Sequence, residues 1–397
     1  MIPKVRYTLG KALVNPIFAN LPTSIFEIMS LEAAARGAVN LGQGFPETDG
    51  FPEVREAAAR ALMDKSNQYA PMRGLPVLRE AVAAFYATHQ GIKLDPAKQI
   101  VVTSGATEAI AASIFSLITP GDEVVVFEPM YDAYLPLIRR AGGVPRIVPL
   151  SPPHWTFGED DLKKVFNART RLVLITTPNN PTTHCLTRAE LELLRTYCDR
   201  FDAYVVSDEV WEQVVFDRDH LSVLHLPGLA KRALKIGSAG KIFALTGWKV
   251  GWLAGPQALV DQVARAHQFI TFATPPALQH GAAFGLGLPS ERFAAAHRDY
   301  EHQRNFLTGK LSEAGFVVLP PQGSYFINID LRASGIIEPV LDYAFELIRH
   351  HGLATIPLSA FCDSGRELPV LRLCFAKSLA TLEKGAAALI GSRKLSA

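Results

Sequence analysis

From Ile100 onward, short apolar runs recur, each stopping in a glycine or polar turn and each separated from the next by a segment of helical period. Ile100 to Thr103 reads as a strand. A helix to about Ile118 follows, then Pro120-Gly121-Asp122 and a second strand, Glu123-Val124-Val125-Val126-Phe127. Runs apolar at every position suit a sheet covered on both faces, so this is a βαβ unit with a buried parallel sheet. The alternation continues through Arg171 to Thr176, a helix near Thr187 to Asp202, and strands at Tyr204 to Ser207 and Leu234 to Ser238. Such a sheet binds ligands beyond the carboxyl ends of its strands, which directs attention to the residues that end each run.

At 397 residues the chain exceeds one simple core. Before the alternation, Phe51-Pro52-Glu53 and Gly74-Leu75-Pro76 each open a helix. After about Pro289 the pattern becomes a long charged helix (Glu291 to Ala314), strand-like runs at Phe316 to Leu319 and Ser324 to Asp330, a helix, and a strand-helix pair. The expected fold is α/β: a large domain at 45–288 with a mostly parallel sheet and a smaller α+β domain at 289–397, with residues 1–44 packing on the smaller one. No internal repeat or low-complexity segment interrupts this.

Forty basic against thirty-eight acidic side chains leave a net charge of +2, and no Lys/Arg run makes a stripe for nucleic acid. A small-molecule partner is expected. The N-terminal stretch has no apolar core of signal-peptide or membrane-span type, so a cytoplasmic protein without membrane association is expected. Cys185, Cys198, Cys362 and Cys374 lack metal-site spacing and are given no chemistry; no metal is expected.

Five segments carry the chemistry. Ser104-Gly105-Ala106-Thr107-Glu108 follows a strand and opens a helix, where backbone N–H groups and the helix dipole favour a phosphate; a purely structural turn has the same look. Ser238-Ala239-Gly240-Lys241 sets a lysine at a buried strand's end, where desolvation lowers its pKa toward a nucleophilic amine; a solvated surface lysine is the alternative reading. Asp208, after Tyr204-Val205-Val206-Ser207, is either a helix cap or a buried functional carboxylate. Thr177-Pro178-Asn179-Asn180-Pro181-Thr182 marks a turn at another strand end. Arg372, inside Val370-Leu371-Arg372-Leu373-Cys374-Phe375, needs an anion, supplied by an internal salt bridge or by a substrate carboxylate.

In this order, the segments resemble the fold-type I, pyridoxal-phosphate (PLP) aminotransferases of class I/II, the group with kynurenine aminotransferase, glutamine transaminase K and methionine aminotransferase. The resemblance runs from about Asn40 to the last helix and is most specific over Ser238 to Trp252. It implies an aspartate aminotransferase-like fold and PLP held as a Schiff base by Lys241, which also shuttles the substrate proton. Asp208 matches the partner of the coenzyme's ring nitrogen. Gly105, Ala106, Thr107, Ser238 and Lys249 match the phosphate site, Tyr131 the stacking aromatic, and Asn180 the amide shared by coenzyme and substrate. Arg372 and the backbone of Gly44 match the contacts to the substrate α-carboxylate. Tyr69 matches a tyrosine that reaches the neighbouring subunit's phosphate, which implies a homodimer with shared active sites.

Two positions depart from the family pattern. Trp211 stands where Asp-Glu-Val-Tyr is usual, and is expected to alter the Schiff-base pKa and crowd the site. Thr183 stands where a glycine is usual, so the loop is expected to take another path if a positive φ is needed there. The implied reaction transfers the amino group of a neutral amino acid (aromatic, sulfur-containing or otherwise apolar) to a 2-oxo acid in two half-reactions. A carbon–sulfur β-lyase is the alternative within the coenzyme class, and a catalytically silent binding protein the alternative outside it. Phe18, Phe26, Phe45, Tyr134 and Phe272 are candidates for the pocket wall or for core.

Overall fold

The computed structural model describes residues 15–19, 21 and 23–393. Seven strands form its central sheet: β1 (Ile100–Thr103), β2 (Glu123–Glu128), β3 (Val144–Pro149), β4 (Thr170–Thr176), β5 (Tyr204–Asp208), β6 (Ala233–Ser238) and β7 (Gly251–Ala254). Their order across the sheet is β1-β7-β6-β5-β4-β2-β3. Neighbours run parallel from β6 to β3, whereas β7 lies antiparallel to both β6 and β1. Every residue of β1, β2, β6 and β7 is buried, because helices cover both faces. That double burial is the reason the strands read as unbroken apolar runs.

Local sequence sets the helices around this sheet. Pro52 and Pro76 open the helices Pro52–Asp64 and Pro76–Gln90 at a position where a missing N–H costs nothing. Thr187 caps Arg188–Phe201 reciprocally with Glu190. The helix Ala106–Leu117, which follows β1, is apolar nearly all round and packs between the sheet and Gln257–Ile270.

A second, antiparallel sheet contains β8 (Val317–Leu319), β9 (Phe326–Asp330), β10 (Ile356–Pro357) and β11 (Val370–Cys374), in the order β10-β11-β9-β8. The helices Ser290–Glu313, Val340–His351 and Leu379–Arg393 accompany it. Val39–Asn40 pairs in parallel with Leu353–Ala354, which ties the chain just before Gly44 to these C-terminal elements. Among the described residues, no helix is long and apolar enough to cross a membrane.

The register brings the chemistry to one edge of the central sheet. Thr176 at the end of β4 pairs with Asp208 at the end of β5, and Asp208 with Ile236, two residues before Ser238 closes β6. Three polar strand ends therefore lie side by side, where a parallel sheet opens to ligands.

Candidate active site

A cavity of about 220 Å³ opens beyond those strand ends, lined by Gly105, Ala106, Thr107, Tyr131, Asn180, Asp208, Ser238, Lys241 and Lys249 among others. Nine residues singled out in the sequence thus meet around one space.

One pole of the cavity suits a phosphate. Gly105 has φ +80°, a conformation that side chains rarely adopt, and a Cβ there would stand 3.1 Å from the Lys249 side chain. Gly251 permits the same close approach: a Cβ on it would lie 2.8 Å from the Gly105 carbonyl carbon. Backbone N–H groups at the start of Ala106–Leu117 lack partners within the helix and carry its positive dipole end toward the Lys249 ammonium.

A second pole is acidic. Asp208 is buried and caps no helix: its Oδ2 accepts a 2.7 Å hydrogen bond from the Tyr134 hydroxyl. With that proton committed, Thr176 donates in turn to the Tyr134 oxygen at 2.6 Å. Burial raises the Asp208 pKa to about 6, against the pull of the Tyr134 hydrogen bond. An anion held in an apolar wall calls for a cationic partner from within the cavity.

Lys241 provides the amine. It lies in the short helix Ala239–Ile242 after β6, and its Nζ donates to the Tyr325 hydroxyl at 3.0 Å and lies 3.5 Å from the Gly44 carbonyl oxygen. Burial lowers its pKa to about 8, with Arg372 and Lys249 pushing the same way and Asp208 opposing. The indole of Trp211 packs 4.5 Å from the same nitrogen. A solvated surface lysine is therefore excluded.

Arg372 lies beside this cavity on β11, only 2 % exposed. Among the described residues no carboxylate makes an ion pair with it: Nη1 donates to Asn180 Oδ1 at 2.6 Å and Nη2 to the Gly42 carbonyl at 3.0 Å. Its Nε is buried and has no hydrogen-bond partner among the described residues, and burial lowers the guanidinium pKa to about 10. The side chain is held between Phe326 and Phe361, at 4.0 and 4.8 Å from the ring centres. A buried guanidinium with spare donor capacity is built for an incoming anion. Gly44 stands close by, and a Cβ on it would come within 2.8 Å of Phe326.

Tyr69 is placed elsewhere. It is 87 % exposed, edge-on to Phe272 at 5.5 Å, beside a different cavity lined also by Leu62, Trp248 and Pro276. Of the five aromatic candidates for a pocket wall, only Phe26 lines the 530 Å³ cavity that shares Tyr131 with the site. Tyr134 lies beneath Asp208, Phe272 packs on Tyr69, Phe18 is on the exposed short helix Pro16–Ala19, and Phe45 is 45 % exposed with its carbonyl accepting from Lys377. The loop after Asn180 needs no other path: Thr183 adopts φ +69°, held by its N–H to the Asn179 carbonyl at 2.9 Å and by its hydroxyl to the Pro320 carbonyl at 3.3 Å. Tyr325 and the role of Tyr134 were not legible, since neither stands in a strand-end motif.

The sequence pattern of aminotransferase class I and II matches residues 36–389. The chain belongs to that family. Methionine aminotransferase of Escherichia coli is 37% identical over 91% of this aminotransferase and 94% of its own length. Kynurenine–oxoglutarate transaminase 1 of Homo sapiens is 32% identical over 88% and 91%. The crystal structure of the E. coli enzyme superposes with a TM-score of 0.92 over 96% of this chain and 99% of that one. N-succinyldiaminopimelate aminotransferase of Mycobacterium tuberculosis superposes with 0.91 over 95% and 99%; each is 36% identical. The fold is therefore aspartate aminotransferase-like α/β, and this chain is an enzyme that depends on PLP. The cavity matches the coenzyme chemically: a donor-rich phosphate pole, a buried carboxylate for the ring nitrogen, and an amine for the aldehyde. These relatives are all named for transamination, which favours it over carbon–sulfur cleavage.

Proposed function

We propose that this aminotransferase takes a neutral amino acid as donor, with an aromatic, sulfur-containing or other apolar side chain, and passes its amino group to a 2-oxo acid. The observation that carries the donor class is the lining of the 530 Å³ cavity next to Tyr131 and Arg372. Ile25, Phe26, Ile28, Leu135 and Phe361 make it apolar. The one cation among its described residues, Arg139, is already paired with Asp363 at 2.6 Å, so a second substrate carboxylate finds no free positive charge. The relatives named for methionine and kynurenine support the same class.

Each residue's part follows from its chemistry. Gly105, Ala106, Thr107, Ser238 and Lys249 would hold the phosphate of PLP, and Tyr131 its ring. When bound, PLP supplies the electron sink for charge that develops at the substrate α-carbon. Asp208, oriented by Tyr134, keeps the ring nitrogen protonated. Arg372 and Asn180 fix the substrate carboxylate together with the Gly44 backbone, orienting the α-carbon. Lys241 holds the coenzyme at rest, and as a free amine takes the proton from that α-carbon; a pKa of about 8 suits it to do so near neutral pH.

Tyr69 acts across a homodimer, reaching the phosphate of the partner's site. Its support is the exposed apolar surface around it: Leu62, which lines the same cavity, and Phe272, edge-on to the Tyr69 ring, are 55 % and 40 % exposed. The domain division at 1–44, 45–288 and 289–397 and a cytoplasmic location belong to the same reading. The test is donor specificity measured with a fixed oxo acid: methionine and aromatic donors exceed aspartate in kcat/KM by at least about 100-fold, and comparable use of aspartate contradicts the reading.

A further inference from the structure

We infer that Tyr325 is the positioning residue of the Lys241 amine. The inference rests on the role of Lys241 proposed above. Tyr325 immediately precedes β9, in none of the strand-end motifs, and its side chain is completely buried. Its hydroxyl has one proton, and the Gly44 carbonyl oxygen, which can only accept, takes it at 2.6 Å. The phenol oxygen is thereby left as an acceptor, and Lys241 Nζ donates to it at 3.0 Å. One N–H of the amine is fixed to the cavity wall by a group whose own orientation is fixed.

The ring cannot drift. Trp211 stands edge-on to it at 4.2 Å, and Phe326 and Tyr300 pack at 5.1 and 6.1 Å. An indole offers a donor only, so Trp211 serves as the wall against which Tyr325 is set. Burial raises the phenol pKa well above 10, so Tyr325 stays neutral and orients the amine without itself exchanging protons. The same hydroxyl ties Lys241 to the Gly42 to Gly44 segment, whose Gly42 carbonyl is held by Arg372. The proton-carrying amine and the carboxylate-binding arginine therefore grip one short piece of backbone.

The charged and titratable groups around Lys241 are Asp208, Lys249, Arg372 and Cys374, with Tyr325 and Tyr300 as neutral phenols; burial keeps the Cys374 thiol protonated as well. In Tyr325→Phe all the others remain; Lys241 loses an acceptor and the Gly44 carbonyl loses its donor. The rate at which coenzyme-free protein captures PLP, followed by absorbance against pH, reads the Lys241 amine directly. Its midpoint falls by about one pH unit in Tyr325→Phe, the size that a hydrogen bond to a charged group sets. In the holoenzyme kcat falls at least about tenfold while KM changes less than about threefold, since orientation and not binding is lost. Incorporating 3-fluorotyrosine, a weaker acceptor of nearly the same size, shifts the midpoint in the same direction by less. An unchanged midpoint in folded Tyr325→Phe, or a loss of kcat that only accompanies a lower Tm, overturns the inference for Tyr325 while leaving Lys241 in its role. A wild-type protein that captures no PLP overturns both.

Discussion

The hydroxyl of Tyr134 donates to Asp208 Oδ2 at 2.7 Å, and burial nevertheless raises the Asp208 carboxyl to about 6. The folded-state pKa thus stands above the ordinary 3.8. Below 3.8 the protonated carboxyl costs nothing, and stability is lost as pH rises from there through 6, so at pH 8 the coenzyme-free protein bears the whole cost of a buried anion. Asp208→Asn in the coenzyme-free protein is expected to gain on the order of 1–3 kcal/mol at pH 8 and almost nothing at pH 4, measured by denaturant unfolding. Activity of the loaded variant falls roughly 100- to 1,000-fold.

Among the described residues, Arg372 Nε has no hydrogen-bond partner and no carboxylate makes an ion pair with the guanidinium. Arg372→Ala is expected to raise KM for the amino donor by roughly 30- to 1,000-fold, and Arg372→Lys to recover only part of that, because a point charge cannot make the bidentate contact. Steady-state kinetics with equal KM in all three proteins would remove Arg372 from the substrate site.

The alternating apolar runs announced the central sheet because helices bury both of its faces, and the polar residues that ended those runs line the cavity beyond the strand ends. Two of its strands were less visible. In β3, an edge strand, Pro145 and Pro149 flank the partly exposed Arg146 and Ile147 and the buried Val148, and β7 was hidden inside the string that also carries Lys249. Tyr325 and Tyr134 escaped for a different reason. Each acts through a hydrogen bond made between elements far apart in sequence, to Gly44 and Lys241 in one case and to Asp208 in the other, and no local spacing encodes such a bond. Thr183 shows the converse: a β-branched residue occupies a positive φ because tertiary hydrogen bonds hold it there.

Lys235 is fully buried on β6, with Nζ 2.8 Å from Glu209 and 2.6 Å from Glu212. His220 reaches the same Glu209 at 2.7 Å, and the ammonium stands between the two buried carboxylates. Lys235→Met leaves two buried carboxylates without their cation, and an unfolding free energy lower by about 3–5 kcal/mol is expected. A loss below about 1 kcal/mol would mean that the pair is hydrated and not buried.

Shared sites make a prediction about hybrids. If Tyr69 serves the partner's site, a heterodimer of Lys241→Ala and Tyr69→Phe chains contains one site with both wild-type residues, and its activity per dimer approaches half that of the wild type. If Tyr69 serves its own chain, no site in the hybrid is intact. Sedimentation first establishes the dimer, and mixing the two inactive or weakened variants after dissociation then separates the cases.

The central claim is that Lys241 carries PLP and that the enzyme transaminates neutral donors. The direct measurement mixes the holoenzyme with single amino acids, without any oxo acid, while coenzyme absorbance and released ammonia are followed together. Methionine or an aromatic donor is expected to bleach the resting band with one equivalent of 2-oxo acid and no ammonia, and Lys241→Ala to show no such turnover. Continuous ammonia release with the band retained, or a protein that PLP cannot colour, would contradict the account.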